Sequence, residues 1–190
     1  MKKLKIDGMI LATFLTTLFY SATWPYINKY IISIIPENYI AIQQIVNCVS
    51  IIVFSAAWNR AGDKLFRFFH VICIVESLTT IIATSVILIT DDVRAYYILD
   101  TLFFALITRN IICGYIKLKA RRYTTEDSRN EFDNRDNSAA AAATIIGSLI
   151  AIYLSLDFHV MIVIATIGNM IDNTMYFFIY RKTVKKAGER

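Results

Sequence analysis

Long uncharged apolar runs, separated by short clusters of charge, set the pattern of this chain. Reading the runs against their charged breaks predicts six helices. They lie near Ile6–Ile35, Asn38–Trp58, Leu65–Ile89, Arg94–Leu118, Asn137–Leu156 and Phe158–Tyr180. Most of these runs reach the ~20 residues that a helix needs to cross a bilayer. Pro25 falls inside the long first run and predicts a kink there. The expected fold class is all-α, a single polytopic six-helix transmembrane domain over residues 1–190. The opening MKKLK before apolar residues mimics a secretory leader. The run is too long for one, and no small-residue cleavage site precedes Trp24, so an uncleaved first span is expected.

Composition agrees with the pattern. The 190 residues are 56% hydrophobic and 18% charged, and mean hydropathy is +0.51. Soluble domains carry about 25% charged residues, and a fold in water does not hide this much apolar surface. The lipid bilayer is therefore the first expected partner. The net charge of +5 is unevenly placed. Lys2, Lys3 and Lys5 precede the first span, and Arg60, Lys64 and Arg67 lie around the second break. Lys119, Arg121, Arg122, Arg129 and Arg135 fall between spans four and five, and Arg181, Lys182, Lys185, Lys186 and Arg190 follow the last. The alternate breaks, Pro36-Glu37, Asp91-Asp92 and Asp157-His159, are nearly free of Lys and Arg. The positive-inside rule then predicts a multi-pass protein of the cell (inner) membrane with both termini cytoplasmic. Basicity is a topology signal here, and no nucleic-acid partner is expected. The cytoplasmic stretch 119–136 reads as a solvated linker, with a short amphipathic surface helix as the alternative.

Cys48, Cys73 and Cys113 all fall in apolar runs without metal-ligand spacing, so neither a disulfide framework nor a metal site is expected. No Gly-rich nucleotide motif occurs and no cofactor is expected. His70 and Cys73, one helical turn apart, admit an intramembrane cysteine peptidase as an outlying alternative.

The break between spans two and three reads SAAWNRAGDKLFR. It resembles the cytoplasmic loop motif of the major facilitator superfamily, with Arg60, Gly62 and Lys64 at matching positions. Asn59 stands where the family has an acid, Asp63 where it has an arginine, and Ser55 where it has the first glycine. The run from Arg129-Asn130 through Asn137-Ser138 to Gly147 resembles the family's entry into helix five, and Arg109 its buried arginine in helix four. The resemblance covers essentially the whole chain. It implies one half of a twelve-helix transporter, built from two three-helix inverted repeats. It also implies that the loop latches one transport state, a role to which Asn59 in place of the acid is unfavourable.

Polar residues at membrane depth supply the candidate chemistry, because each charge there costs at least ~2.5 kcal/mol without a partner or water. At 1.5 Å per residue, Glu76, Arg109 and Asp172 lie about 16, 13 and 12 Å from the cytoplasmic ends of their helices. They form a candidate ion-coupling network, against the preferred reading of a static charge network that holds the helices together. Lys29 and Asp100 make a second level, roughly 9 Å from the opposite ends. Thr13, Thr17, Tyr20, Trp24 and Asn28 recur at helical spacing along the first span. The proposed substrate wall is Tyr20, Trp24, Asn28 and Arg109, with the cation attracting an anionic group. Span two carries Gln43, Asn47 and Ser50, and span six Asn169, Asn173 and Tyr176. The small-residue run with Ala139, Ala142, Ala143 and Gly147 permits close helix approach and is the candidate dimer interface. The leading expectation is a half-size secondary transporter of a small solute. It would work by alternating access as a parallel homodimer or with a second membrane half, with proton coupling. The alternative is a non-catalytic accessory or immunity protein that binds another membrane protein. On both of these readings the chain is not an enzyme.

Overall fold

A computed structural model describes residues 6–61, 69–100, 126–153 and 156–188. Six helices account for almost all of them: α1 (Ile6–Ile34), α2 (Glu37–Ala61), α3 (Phe69–Thr90), α4 (Val93–Leu99), α5 (Glu126–Tyr153) and α6 (Phe158–Gly188). No strand occurs among the described residues. Three helices contain a stretch long and apolar enough to cross a membrane: Cys73–Thr90 in α3, Asn130–Tyr153 in α5 and Phe158–Phe178 in α6. The 29 residues of α1 and 25 of α2 are long enough at 1.5 Å per residue.

The predicted boundaries of α1, α2 and the start of α6 agree with these elements to within a turn. The helix α1 continues through Pro25. Proline has no N–H to offer the Ser21 carbonyl, and nearby the Thr23 hydroxyl donates to the Phe19 carbonyl at 2.7 Å. The region after Asp100 of the fourth predicted span lies outside the described residues. The largest departure is in α5, which begins at Glu126 rather than Asn137, so residues 126–136 are helix and not a solvated linker. Their charges misled the sequence reading. No Gly or Pro interrupts residues 126–146, Arg135 pairs with Glu131 at 3.9 Å on the exposed side, and Phe132 is buried. The alanines that follow propagate helix better than any other residue.

Relative directions follow from side-chain register. Thr16, Phe19 and Tyr30 of α1 meet Asp172, Gly168 and Phe158 of α6 in that order, so the two helices are antiparallel. Ser77 and Thr84 of α3 bond Asn173 and Thr166 of α6, again antiparallel. Gly147 and Ala151 of α5 meet Ser21 and Tyr26 of α1, a parallel pair. In α4, Tyr97 donates to Gln43 of α2 at 2.8 Å. The packed pairs are thus α1 with α5, α1 with α6, α3 with α6, α3 with α4 and α1 with α4, and α2 is joined to α4 through the Tyr97 hydroxyl.

The apolar core lies toward one end, where α1 and α3 finish and α4 and α6 begin. Ile27 and Ile31 of α1, Ile87 of α3, Tyr96 of α4 and Met161 and Ile162 of α6 meet there. Asp92 caps α4 by accepting from the amides of Arg94 and Ala95 at 2.9 and 3.0 Å. Asp92→Ala is expected to cost about 1 kcal/mol of stability, read as a lowered melting temperature in detergent; an unchanged melting temperature would remove the cap's assigned role. Away from the core, apolar side chains face outward, among them Ile45, Ile52, Ile89 and Ile152, each more than 60% exposed. Such a surface suits lipid and not water.

Candidate functional site

A line of polar side chains runs through the interior where α6 packs on α1 and α3. From α6 it takes Thr166, Asn169, Asp172 and Asn173, the last three buried. The Asn173 amide donates to Asn169 Oδ1 at 2.9 Å and to Ser77 Oγ at 3.1 Å. One heptad away on both helices, the Thr84 and Thr166 hydroxyls share a bond of 2.6 Å. On the other flank the Thr16 hydroxyl donates to Asp172 Oδ1. Glu76, beside Ser77, is 2% exposed, and Asp172 is 3% exposed.

The two acids predicted as a network, Glu76 and Asp172, are both buried, each one residue before a partner in the Ser77–Asn173 bond. Arg109, their predicted third member, lies outside the described residues. A membrane hydrogen bond contributes about 0.6 kcal/mol on average, well short of the ~2.5 kcal/mol that a charge at depth costs. Chemically the seam offers hydroxyls, amides and two carboxyl groups, suited to carrying a proton or orienting a polar solute. Among the described residues no group of His, Cys, Asp and Glu is arranged to hold a metal ion. Cys73, which a peptidase would need as a reachable thiolate, is buried.

Sequence reading found Asn169, Asp172 and Asn173 but missed their partners Thr16, Ser77, Thr84 and Thr166. Their signal was the matching seven-residue separation of Ser77 from Thr84 and of Thr166 from Asn173. That spacing becomes informative once α3 and α6 are known to be antiparallel neighbours.

The predicted wall on α1 occupies a different side of that helix. Tyr20 is 48% exposed and stacks on Trp24, with ring centroids 5.4 Å apart and planes 17° from parallel. Trp24 packs partly against the core, and Asn28 is half-buried. The α6-facing side of α1 is instead Thr16, Phe19 and Thr23. In the loop motif, Arg60 lies on the last turn of α2, while Gly62 and Lys64 lie outside the described residues.

The small-residue run is divided. Ala143 is fully buried, and Gly147 lies so close to α1 that a Cβ there would sit 2.7 Å from the Leu18 carbonyl oxygen. Gly147 serves a seam inside the chain and is not presented to a second copy. Ala142 is exposed and Ala139 half-buried, on the outward side. A cleft of about 140 Å³ between α1, α5 and α6 is lined by Leu18, Phe19, Ile150, Met161 and other apolar groups, with Thr23 the one polar wall residue. It lacks the convergent polar groups of a solute site.

No family model, curated protein or solved structure matches the chain at a significant level. Fold and site together define an all-helical protein in which three helices can cross a membrane and a buried polar seam joins three of the six helices.

Proposed function

We propose that this chain is a half-size secondary transporter of a small solute, built like one half of a major facilitator and working as a parallel homodimer. The observation that carries the reading is the pattern of helix pairs. Exchanging α1 with α4, α2 with α5 and α3 with α6 turns the α1–α5 pair into α4–α2 and the α1–α6 pair into α4–α3. The same exchange returns α3–α6 to itself. Two three-helix repeats, inverted because three is odd, produce this pattern. The antiparallel and parallel registers also agree with six alternating spans, and the clustered lysines and arginines favour cytoplasmic termini.

On this reading Tyr20, Trp24 and Asn28, on the side of α1 away from the α6 seam, line a midplane cavity shared by two copies. Arg109 supplies its positive charge. The copies meet through outward residues such as Ala142 and Ile145 of α5 and the exposed Ile45, Val49 and Ile52 of α2. The seam around Asp172 and Glu76 couples a proton to the rocking of the two copies. The accessory-protein reading gives the same α2 face to a different membrane protein.

Reconstitution separates the two. The purified chain in liposomes is expected to take up a solute from a screened set of small anions, and Arg109→Ala to abolish uptake without reducing expression. Light scattering in nanodiscs, corrected for lipid, is expected to give twice the 21.7 kDa chain mass. A monomer with no uptake would end the transporter reading and leave the accessory one.

A further inference from the structure

The two turns that close the core end of the bundle are far apart in sequence and joined by a single side chain. The α3–α4 turn is Asp91-Asp92, and Asp91 adopts φ 55°, a left-handed conformation that Asp tolerates better than most residues. Its amide donates to the Ile87 carbonyl at 3.0 Å, and Thr90 Oγ1 accepts from the Asp92 amide at 3.2 Å. The other turn ends in Asp157, which caps α6 by accepting from the His159 amide at 2.8 Å. The His159 ring spans the gap, with Nδ1 3.1 Å from Asp157 Oδ1 and Nε2 2.9 Å from Asp91 Oδ1. Phe158, beside it, meets the His159 ring edge-on at 5.5 Å and stacks on Tyr30 of α1 at 4.0 Å. The end of α1, the α3–α4 turn and the start of α6 thus converge on one imidazole.

We propose that His159 is a proton-operated clasp that locks the α3–α4 turn to the start of α6 when its ring is protonated and releases it when the ring is neutral. A neutral imidazole has one N–H and one lone pair, whereas an imidazolium has two N–H groups. Both ring nitrogens face a carboxylate oxygen, and a carboxylate only accepts. The protonated ring satisfies both contacts. Loss of the proton turns one of them into a lone pair facing an anion, so that bond opens. Asp157 is held by its helix cap in either state, which leaves Asp91 as the partner set free.

The charged groups at this end are Asp91 and Asp92 on the turn, Arg94 opening α4, Asp157 before α6, Lys29 near the end of α1 and Glu37 opening α2. Asp91 and Asp157 are the two at hydrogen-bonding distance from the ring. The His159 amide above all holds the Asp157 carboxyl below its usual range; desolvation, next in size, opposes it, and the ring's hydrogen bond and charge and the Val160 amide add to the lowering. A lowered carboxyl contributes stability above the ordinary carboxylate range and loses it as pH falls through its own. The clasp is therefore whole in a window bounded below by carboxylate protonation and above by loss of the imidazole proton. The inference does not depend on transport.

The test is amide hydrogen exchange over residues 91–97 of the full chain in nanodiscs, normalised for the intrinsic effect of pH. Because the pair is partly exposed, exchange at about pH 5.5 is expected to be about three-fold slower than at about pH 8. His159→Gln and Asp91→Asn should each abolish that difference. A wild-type chain with no difference, or a His159→Gln chain that keeps it, overturns the clasp. A measurement without a clasp variant guards against misfolding. The chain has two histidines, so ¹⁵N-histidine spectra of His70→Gln report on His159 alone. Two protonated ring nitrogens at about pH 5.5 and one at about pH 8 are expected; a single tautomer at both overturns the proposal.

Discussion

Gly147→Leu is expected to unseat α1 from α5 and leave little folded protein, and Gly147→Ala to lower the melting temperature measurably. The reason is the rigidity of what Gly147 touches. A Cβ at this position would lie 2.7 Å from the Leu18 carbonyl oxygen, 2.8 Å from Ser21 Cβ and 3.1 Å from the Ala22 amide nitrogen. Two of these are backbone atoms of a continuous helix and cannot turn aside as a side-chain tip can. Overpacking of a tight interior costs about 1–3 kcal/mol. In a chain of this size that corresponds to roughly 2–10 °C, with the larger leucine beyond it. Ala142→Leu is the control, because Ala142 is exposed, and its effect on the monomer fold should stay within about 0.5 kcal/mol. Thermal unfolding of the three variants in one detergent checks the set. A Gly147→Ala chain that melts with wild type would mean that α1 and α5 do not approach this closely. Gly168, where a Cβ would lie 2.6 Å from Phe19 Cβ and Cγ, is constrained in the same way, since Phe19 Cβ is fixed to its own backbone and ring rotation does not move it.

Asp172→Asn is expected to leave the fold intact while abolishing uptake driven by a pH gradient. The amide keeps an oxygen that accepts from the Thr16 hydroxyl and loses the ability to exchange a proton. A typical hydrogen bond contributes about 1 kcal/mol, so retaining it keeps the melting temperature near wild type. Asp172→Leu removes the acceptor, leaves the half-buried Thr16 donor without it and should cost about 1–3 kcal/mol. The comparison separates the two roles of this carboxyl group. If Asp172→Asn still accumulates solute against a gradient when protons drive it, Asp172 is a bolt between α1 and α6 and coupling lies elsewhere. The corresponding pair at Glu76 reports whether both acids or one of them exchanges the proton.

How much of this was legible in the sequence differs from element to element. The apolar runs of α1, α2 and α6 are bounded by Pro36, by clustered charge and by Asp157, and the limits of α1 and α2 and the start of α6 came out within a turn, whereas α6 runs on to Gly188, past the expected Tyr180. The start of α5 did not. Residues 126–136 are polar and charged, which in a membrane chain reads as a loop, yet they hold no Gly or Pro to stop a helix, and the alanines that follow propagate one. Glu76 and Asp172 were visible as candidate site residues because charge is rare inside apolar runs. Thr16, Ser77, Thr84 and Thr166 were not, since a threonine or serine in a membrane helix also bonds its own backbone. Thr166 does so as well, donating to the Ile162 carbonyl at 2.9 Å. The glycine and alanines of α5 were readable as a close-approach stripe, but the stripe carries no label for what approaches.

The sequence by itself determined that the chain is helical, where most helices begin and end, and that its interior carries carboxyl groups and amides. Those properties depend on neighbours three or four residues away and on the balance of apolar and charged groups. Tertiary structure alone decided that Gly147 meets α1 of its own chain, that Asp172 is held by Thr16, and that His159 reaches Asp91 across two turns. Each of these depends on which helices are neighbours and in what register. Helical periodicity defines a face for every residue without naming the helix that will cover it.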